Sequence, residues 1–182
     1  EEIELIHFVP IFSYSLKVQQ VNPKKIYSLD NGLRNAVSFR FSQDEGRLVE
    51  NLVFQELKRQ DLEVYYWKKK MEVDFVVKKN NELTGINVSY GEKLDDREIK
   101  SLLQFKEIFS KSVKDLIIIT KDKELENDEI KFIPLWKWLL EFKILIRIFA
   151  SLHISYGLGS VWERGKTSCA LPVLPFRMRL SY

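Results

Sequence analysis

A short apolar run near the middle of the chain constrains its fold more than any other feature. Residues 115–120 are Asp-Leu-Ile-Ile-Ile-Thr, with four consecutive aliphatic side chains. Such a run is typical of a strand that is buried on both faces, and strands of this kind lie inside sheets that helices cover on both sides. The chain is therefore expected to form a layered α/β domain around this strand.

The segments around this strand alternate between helical and strand periodicity. Residues 47–60 and 95–110 each place their apolar side chains on one face of a helix, and residues 136–142 predict a last helical turn or two. The other predicted strands are short and have polar connectors, and they span residues 63–68, 73–77, 84–90 and 131–135. The resulting order, α-β-β-β-α-β, predicts a mixed sheet flanked by helices.

The N-terminal part is expected to form an antiparallel hairpin ahead of this domain. Residues 7–9, 11–16 and 25–29 carry aromatic and β-branched side chains, and Asn22-Pro23 is typical of a turn. A short helical stretch is predicted at residues 33–37. The segment Ser42-Gln43-Asp44-Glu45-Gly46 offers N-capping groups to the helix that follows.

Charge and composition divide the chain into three parts. Residues 1–143 contain 24 basic and 25 acidic side chains, so the excess behind the net charge of +3 lies in the tail. Charge alone therefore predicts no nucleic-acid partner. We assign a hairpin and linker to residues 1–41, an α/β domain to residues 42–142 and an atypical tail to residues 143–182. The tail and the missing initiator methionine also favour an alternative: a truncated or frame-shifted fragment without independent function.

Residue counts exclude several kinds of site. The only cysteine is Cys169, so neither a disulfide framework nor a zinc site made of thiolates is expected. The only histidines, His7 and His153, lie far apart, which argues against a histidine metal site or a Ser-His-Asp triad. Acidic residues at the start do not resemble a signal peptide, and no apolar run is long enough to cross a bilayer. We expect a cytoplasmic protein without membrane contact.

Glu50 on the first helix and Asp74 on the second strand mark the candidate site. With this order of elements, residues 46–120 resemble the PD-(D/E)XK nucleases. The resemblance implies that Glu50 and Asp74 correspond to carboxylates that hold Mg²⁺ for phosphodiester hydrolysis. It also implies a Glu-x-Lys on the third strand, where this chain has Asn87 and Ser89. Without that negative and that positive charge, cutting should be nearly abolished.

The segments beside these motifs extend the resemblance to about residues 5–142. They are residues 25–34, 46–54, 64–67, 73–76 and 133–140. Together they look like the C-terminal domain of prokaryotic ATPases of the AAA+ superfamily, a domain of unknown function. The resemblance implies a hairpin of winged-helix type, an ATPase module elsewhere in the parent protein and a degenerate third motif. No GxxxxGK[ST] occurs in these 182 residues, so ATP is expected only in a longer parent protein.

These observations predict a non-catalytic, nuclease-fold domain that mediates DNA or protein contact for an AAA+ ATPase. The chain itself is then not expected to be an enzyme or to hold a cofactor. An alternative is a weakly active, Mg²⁺-dependent DNA nuclease that uses Glu50, Asp74 and the backbone carbonyl of residue 88. Glu50 also fits an ordinary carboxylate at the rim of a helix, whereas Asp74 lies mid-strand, where aspartate is disfavoured.

Three further groups each have two interpretations. Lys68, Lys69 and Lys70 fit a solvated connector, or a loop that contacts phosphates beside the aromatic residues 65–67. Glu56 lies on the core face of its helix and is expected to be buried and paired. The pair Trp136 and Trp138 is expected in the core, and the alternative is a stacking platform.

Overall fold

The elements of the fold follow the predicted order from the long helix onward. The computed structural model describes residues 5–32, 45–91, 94–127 and 129–140, all within the unit Glu1–Lys143. The strands are β1 Ile6–Val9, β2 Lys25–Ser28, β3 Glu63–Lys68, β4 Glu72–Lys79, β5 Glu82–Ser89, β6 Val113–Thr120, β7 Leu125–Glu126 and β8 Lys131–Pro134. The helices are α1 Leu16–Val21, α2 Glu45–Arg59 and α3 Asp96–Ile108, and residues 135–140 are also helical.

The described part of the chain contains a six-stranded mixed sheet with the order β3-β4-β5-β6-β8-β7. The β3–β4 and β4–β5 pairs are antiparallel, the β5–β6 and β6–β8 pairs are parallel, and β7 is antiparallel to β8. Ile118 and Ile119 in β6 are both fully buried, which confirms that the apolar run is buried on both faces. The predicted mixed α/β fold is therefore confirmed.

One long helix packs on each face of the sheet. Ile117 and Ile119 belong to the apolar cluster that contains α2, whereas Leu116 and Ile118 belong to the cluster that contains α3. Because successive side chains of a strand point to opposite faces, α2 and α3 cover opposite faces of the sheet. Burial of the two apolar helix faces, at about 25 cal/mol per Å², is the main stabilising contribution.

The N-terminal antiparallel pair is confirmed, but its connection differs from the prediction. β1 and β2 pair from Ile6↔Ser28 to Val9↔Lys25. The extended segment predicted at residues 11–16 is wrong, since only Ile11 forms a bridge, to Tyr66 in β3, and the chain then enters α1. No residue of α1 is buried, so the helix has no apolar core face from which its periodicity could be recognised.

Other expectations have mixed outcomes. The predicted helical stretch at residues 33–37, the capping residues 42–44 and the tail at 143–182 lie outside the described residues. Trp138 is buried in the core as expected, but Trp136 is 57% exposed, and its expected burial is wrong. Residues two apart on a helix do not share a face, which explains the difference. Among the described residues, no helix is both long and apolar enough to cross a membrane.

Candidate functional site

Carboxylates from α2 and β4 converge on one ammonium group from β2. Lys25 Nζ lies 2.7 Å from Glu72 Oε1, 3.1 Å from Asp74 Oδ1 and 3.3 Å from Glu50 Oε1. We call these four residues the Lys25 cluster. Their side chains are only 20–33% exposed, so solvent screens their attraction less than it screens a surface ion pair. The structure thus brings Glu50 and Asp74 together as predicted, with a lysine between them.

Because side chains alternate between the two faces of β2, two of its polar groups contact the same carboxylate, that of Glu50. Lys25 and Tyr27 lie two residues apart on one face of the strand. The ring of Tyr27 stacks on Phe54 at a centroid distance of 4.5 Å, and its hydroxyl donates to Glu50 Oε1 at 2.5 Å. Asn51 fixes the strand against α2, because its side chain accepts from the Ser28 N–H and donates to the Ser28 carbonyl.

Asp74 and Asn87 join β4 to β5 through their side chains. The regular ladder between these strands begins at the pair Phe75↔Ile86. Beyond it, the Asp74 N–H donates to Asn87 Oδ1 at 3.0 Å, and the Val88 N–H donates to Asp74 Oδ2 at 3.1 Å. Hydrogen bonds therefore fix the side chains of Asp74 and Asn87, the second and third positions of the predicted motif, relative to each other.

The amide of Asn87 also ties the sheet to α3. Its Nδ2 donates to the Glu98 carbonyl at 3.1 Å and to Ser101 Oγ at 2.7 Å. The residue is fully buried, and its side-chain oxygen accepts from the Asp74 N–H. An ionised glutamate or aspartate could donate neither bond to α3 and a protonated one could donate only one, so making both bonds requires an amide.

Ser89 lies at a different opening. It lines a crevice of about 280 Å³ at the ends of β5 and β6, together with Thr120 and the lysines Lys121 and Lys123. The structure therefore separates the two replaced positions, since Asn87 bonds to Asp74 whereas Ser89 faces this crevice.

The Lys25 cluster shifts the protonation equilibria of its members. Burial would lower the pKa of Lys25, but the charges of Asp74 and Glu50 outweigh it and raise that pKa. Burial raises the pKa of Asp74 to about 6 against the attraction of Lys25, with Glu50 adding to the rise. Burial and then the charge of Asp74 raise the pKa of Glu98 to about 7. Burial alone would raise the pKa of Glu72, but hydrogen bonds from Lys25 and Lys68 outweigh it and lower that pKa.

These raised carboxyl pKa values predict an unusual pH dependence of stability. Asp74 and Glu98 bind protons more tightly in the folded chain than in the unfolded chain, where carboxyl pKa values lie near 4. The stability that these two carboxyl groups contribute is therefore complete below the unfolded pKa values. It is lost as the pH rises through the folded pKa values of about 6 for Asp74 and about 7 for Glu98. We expect the free energy of unfolding to fall by about 2 kcal/mol between about pH 5 and about pH 8.

Urea denaturation at fixed ionic strength measures this dependence. The matched variant is Glu98→Gln, whose profile should be flatter than that of the wild type because one of the two titrating groups is removed. A wild-type free energy that rises with pH over this window would contradict the raised pKa values.

The carboxylate oxygens of the Lys25 cluster lie 2.7–3.3 Å from Lys25 Nζ, which are hydrogen-bond and ion-pair distances to an ammonium group. No group of three or more His, Cys, Asp or Glu in the described ranges is arranged to hold a metal ion. Glu50 and Asp74 remain the predicted positions from which ligands could come.

The three lysines of the β3–β4 turn have different surroundings. Lys68 pairs with Glu72 at 2.9 Å and thereby contacts the edge of the Lys25 cluster. Lys69 and Lys70 are exposed in the turn itself. Of the predicted stacking partners, Tyr66 and Trp67 are 5% and 4% exposed, so their rings are not available to stack on bases, whereas Tyr65 is only half-buried. Phosphate contact by these lysines stays a prediction.

Glu56 does not belong to the site. It is 2% exposed and pairs with Arg59, which confirms the predicted buried, ion-paired role. Its Oε1 is buried without a hydrogen-bond partner in the described part of the chain.

Four residues that the sequence did not indicate as site residues are Lys25, Tyr27, Glu72 and Glu98. Lys25 and Tyr27 share one face of an alternating strand, which was a usable signal, but the partner of that face was unknown. Glu72 was assigned to a polar connector and lies instead at the first position of β4.

Comparison with known proteins shows that this chain is similar to a protein family and to proteins of two organisms. The model of a family described as a domain of unknown function (DUF4143) matches residues 45–138. An uncharacterized protein of Methanocaldococcus jannaschii is 34% identical over 159 residues, covering 76% of this chain and 34% of that protein. An uncharacterized protein of Haemophilus influenzae is 30% identical over 120 residues, covering 64% of this chain and 29% of that protein. The chain thus spans about a third of the length of the curated relatives it matches.

Proposed function

The chain belongs to the DUF4143 family, and from its site we propose that it is a non-catalytic, nuclease-like domain that acts by binding. The Lys25 cluster carries this proposal. Lys25 Nζ lies between Glu50 and Asp74, where hydrolysis would need a metal ion that polarises the phosphate and activates water. An ammonium group has one charge and no open coordination position, so it cannot supply that chemistry.

The third motif position supports the same proposal. Both donors of the Asn87 amide are used in bonds to α3, and Ser89 lines the other crevice. The third strand therefore lacks the negative charge and the positive charge that PD-(D/E)XK nucleases carry at these two positions. Loss of one preorganised stabilising group alone reduces enzyme rates by about 10²–10³-fold.

We also propose that the domain serves a longer protein with an AAA+ ATPase module. The curated relatives are long enough to contain such a module, since the chain covers only 34% and 29% of them. The sequence resemblance to C-terminal domains of AAA+ ATPases supports this arrangement. ATP binding then belongs to the parent protein, because these 182 residues contain no P-loop motif.

Protein contact is the binding mode that the surface supports best. The outer face of the β1–β2 pair carries Ile6, Phe8 and Ile26, which are 47%, 57% and 61% exposed. Adjoining exposed apolar side chains of this kind are typical of interaction sites. Contact with DNA is a second candidate, which the exposed Lys69 and Lys70 beside the Lys25 cluster favour.

A cleavage assay tests the non-catalytic proposal. Purified protein with Mg²⁺ or Mn²⁺ should leave supercoiled plasmid DNA intact over hours. Cleavage that Asp74→Ala abolishes would contradict the proposal and support the alternative of a weak, metal-dependent nuclease. Cleavage that persists in Asp74→Ala would indicate a contaminating nuclease.

A gel-shift experiment separates the two binding modes. If the domain contacts DNA, the shift should weaken with salt, and Lys69→Ala/Lys70→Ala should reduce affinity by about tenfold. The matched control is Lys100→Ala/Lys111→Ala, which removes two lysines elsewhere on the domain. No shift even at low salt would leave protein contact as the binding mode.

A further inference from the structure

We propose that the crevice beside Ser89, at the ends of β5 and β6, binds a phosphate group. This inference is independent of the proposed non-catalytic function, because no residue of the crevice belongs to the Lys25 cluster. β5 and β6 are parallel, and the pair Ser89↔Thr120 brings their last residues together. In open α/β sheets, ligands commonly bind in the crevices beyond the carboxyl ends of such strands.

The hydroxyl of Ser89 is the observation that points to a ligand. Ser89 is 9% exposed and lines the crevice, but its hydroxyl hydrogen-bonds to no group in the described ranges. The large majority of polar side-chain atoms that are buried to this degree have a hydrogen-bond partner. A ligand in the crevice would supply that partner.

Two lysines supply positive charge at the rim of the crevice. Lys121 and Lys123 are exposed, and neither forms an ion pair with a carboxylate among the described residues. The Thr120 hydroxyl donates to the Lys123 carbonyl, which holds the backbone of both lysines against the end of β6. The ammonium group of Lys121 lies 5.8 Å from the centroid of the Tyr90 ring, a contact that orients its side chain. Both ammonium groups therefore keep donors available to a ligand.

These donors fit a phosphate group. Two ammonium groups and one hydroxyl can each donate to a different oxygen, and a phosphate presents several oxygens together with negative charge. Asp122 is the one acidic side chain among the described residues of the lining, so two positive charges there face one negative charge. The volume of about 280 Å³ lies near the lower end of the range for ligand pockets, which suits a small anion.

Titration of the full chain with inorganic phosphate at constant ionic strength, followed by the amide chemical shifts in nuclear magnetic resonance spectra, tests this proposal. We expect saturable shifts at Ser89, Lys121 and Lys123, with a dissociation constant on the order of 1 mM. Lys121→Ala/Lys123→Ala should weaken binding about tenfold or more, and Ser89→Ala should weaken it about fivefold. Asp122→Asn should strengthen binding, because it removes a charge that repels the anion.

The matched control is Lys100→Ala/Lys111→Ala, which removes two exposed lysines elsewhere on the domain. This variant should bind phosphate as the wild type does. Because all four lysines are exposed, both double variants should fold, so the comparison does not depend on the buried Ser89. A wild type without saturable shifts, or equal phosphate binding by the two double variants, would overturn the proposal.

Two further probes identify the source of the phosphate group. Thymidine 5′-monophosphate carries a terminal phosphate, whereas an oligonucleotide of thymidines without a terminal phosphate carries only phosphodiesters. Tighter binding of the first probe would assign the crevice to a nucleotide, and tighter binding of the second would assign it to nucleic acid. In either case Lys121→Ala/Lys123→Ala should weaken the binding, and an unchanged affinity would count against the crevice. Plasmid cleavage by the wild type would refute the proposed function and leave this site unaffected.

Discussion

Asn87→Asp is expected to lower the free energy of unfolding by about 3 kcal/mol at about pH 8. The substitution keeps the shape of the side chain but removes the N–H donors that bond to the Glu98 carbonyl and Ser101 Oγ. A fully buried carboxylate would then face a carbonyl oxygen and lie close to the charge of Asp74. Urea denaturation measures the loss, which should shrink at lower pH as the new carboxyl group takes up a proton.

The matched control for Asn87→Asp lies in the β4–β5 turn. Asn81 is exposed there, and Asn81→Asp introduces the same charge with an expected change of about 0.5 kcal/mol or less. Equal effects of the two substitutions would show that the bonds of Asn87 to α3 contribute nothing specific.

Lys25→Met is expected to lower the free energy of unfolding by about 3 kcal/mol in metal-free buffer at neutral pH. The variant leaves the partly buried carboxylates of Glu50, Glu72 and Asp74 without the ammonium that lies among them. Part of the cost will be relieved by protonation, so the loss should be smaller at about pH 5 than at about pH 8.

Two comparisons isolate the charge of Lys25. Lys25→Arg should retain most of the stability, because a guanidinium can also pair with several carboxylates. Lys24→Met removes an exposed lysine next in sequence and should change stability by less than about 0.5 kcal/mol. A Lys25→Met variant as stable as Lys24→Met would contradict a stabilising role of the cluster.

The sequence predicted the core of the fold because its elements carry strong periodicities. The apolar run in β6 and the amphipathic face of α2 are each recognisable without knowledge of the partner. The six-residue helix α1 and the two-residue strand β7 are not, since neither buries a side chain. Their form depends on the surrounding structure more than on local pattern.

The candidate site was predictable only in part. Glu50 and Asp74 were predicted as site residues because the order of the elements and the motif spacing indicated them. Lys25 lies 49 residues before Asp74 in the sequence, and its contact depends on how β2 docks against α2. Asn87 was predicted to stand where the resemblance implies a glutamate, and its bonds to α3 could not be predicted without the packing of the helix on the sheet. The sequence therefore indicated two of the four residues in the Lys25 cluster, and the structure adds Lys25 and Glu72.

Mn²⁺ binding to the wild-type chain tests most directly whether Lys25 takes the place of a metal ion. The measurement is the free-ion electron paramagnetic resonance signal during titration, with Asp74→Ala as the comparison. We expect the wild type and Asp74→Ala to leave the free-ion signal equally unchanged at millimolar Mn²⁺. Stoichiometric binding to the wild type that Asp74→Ala abolishes would contradict this account and would favour the alternative of a metal-dependent nuclease.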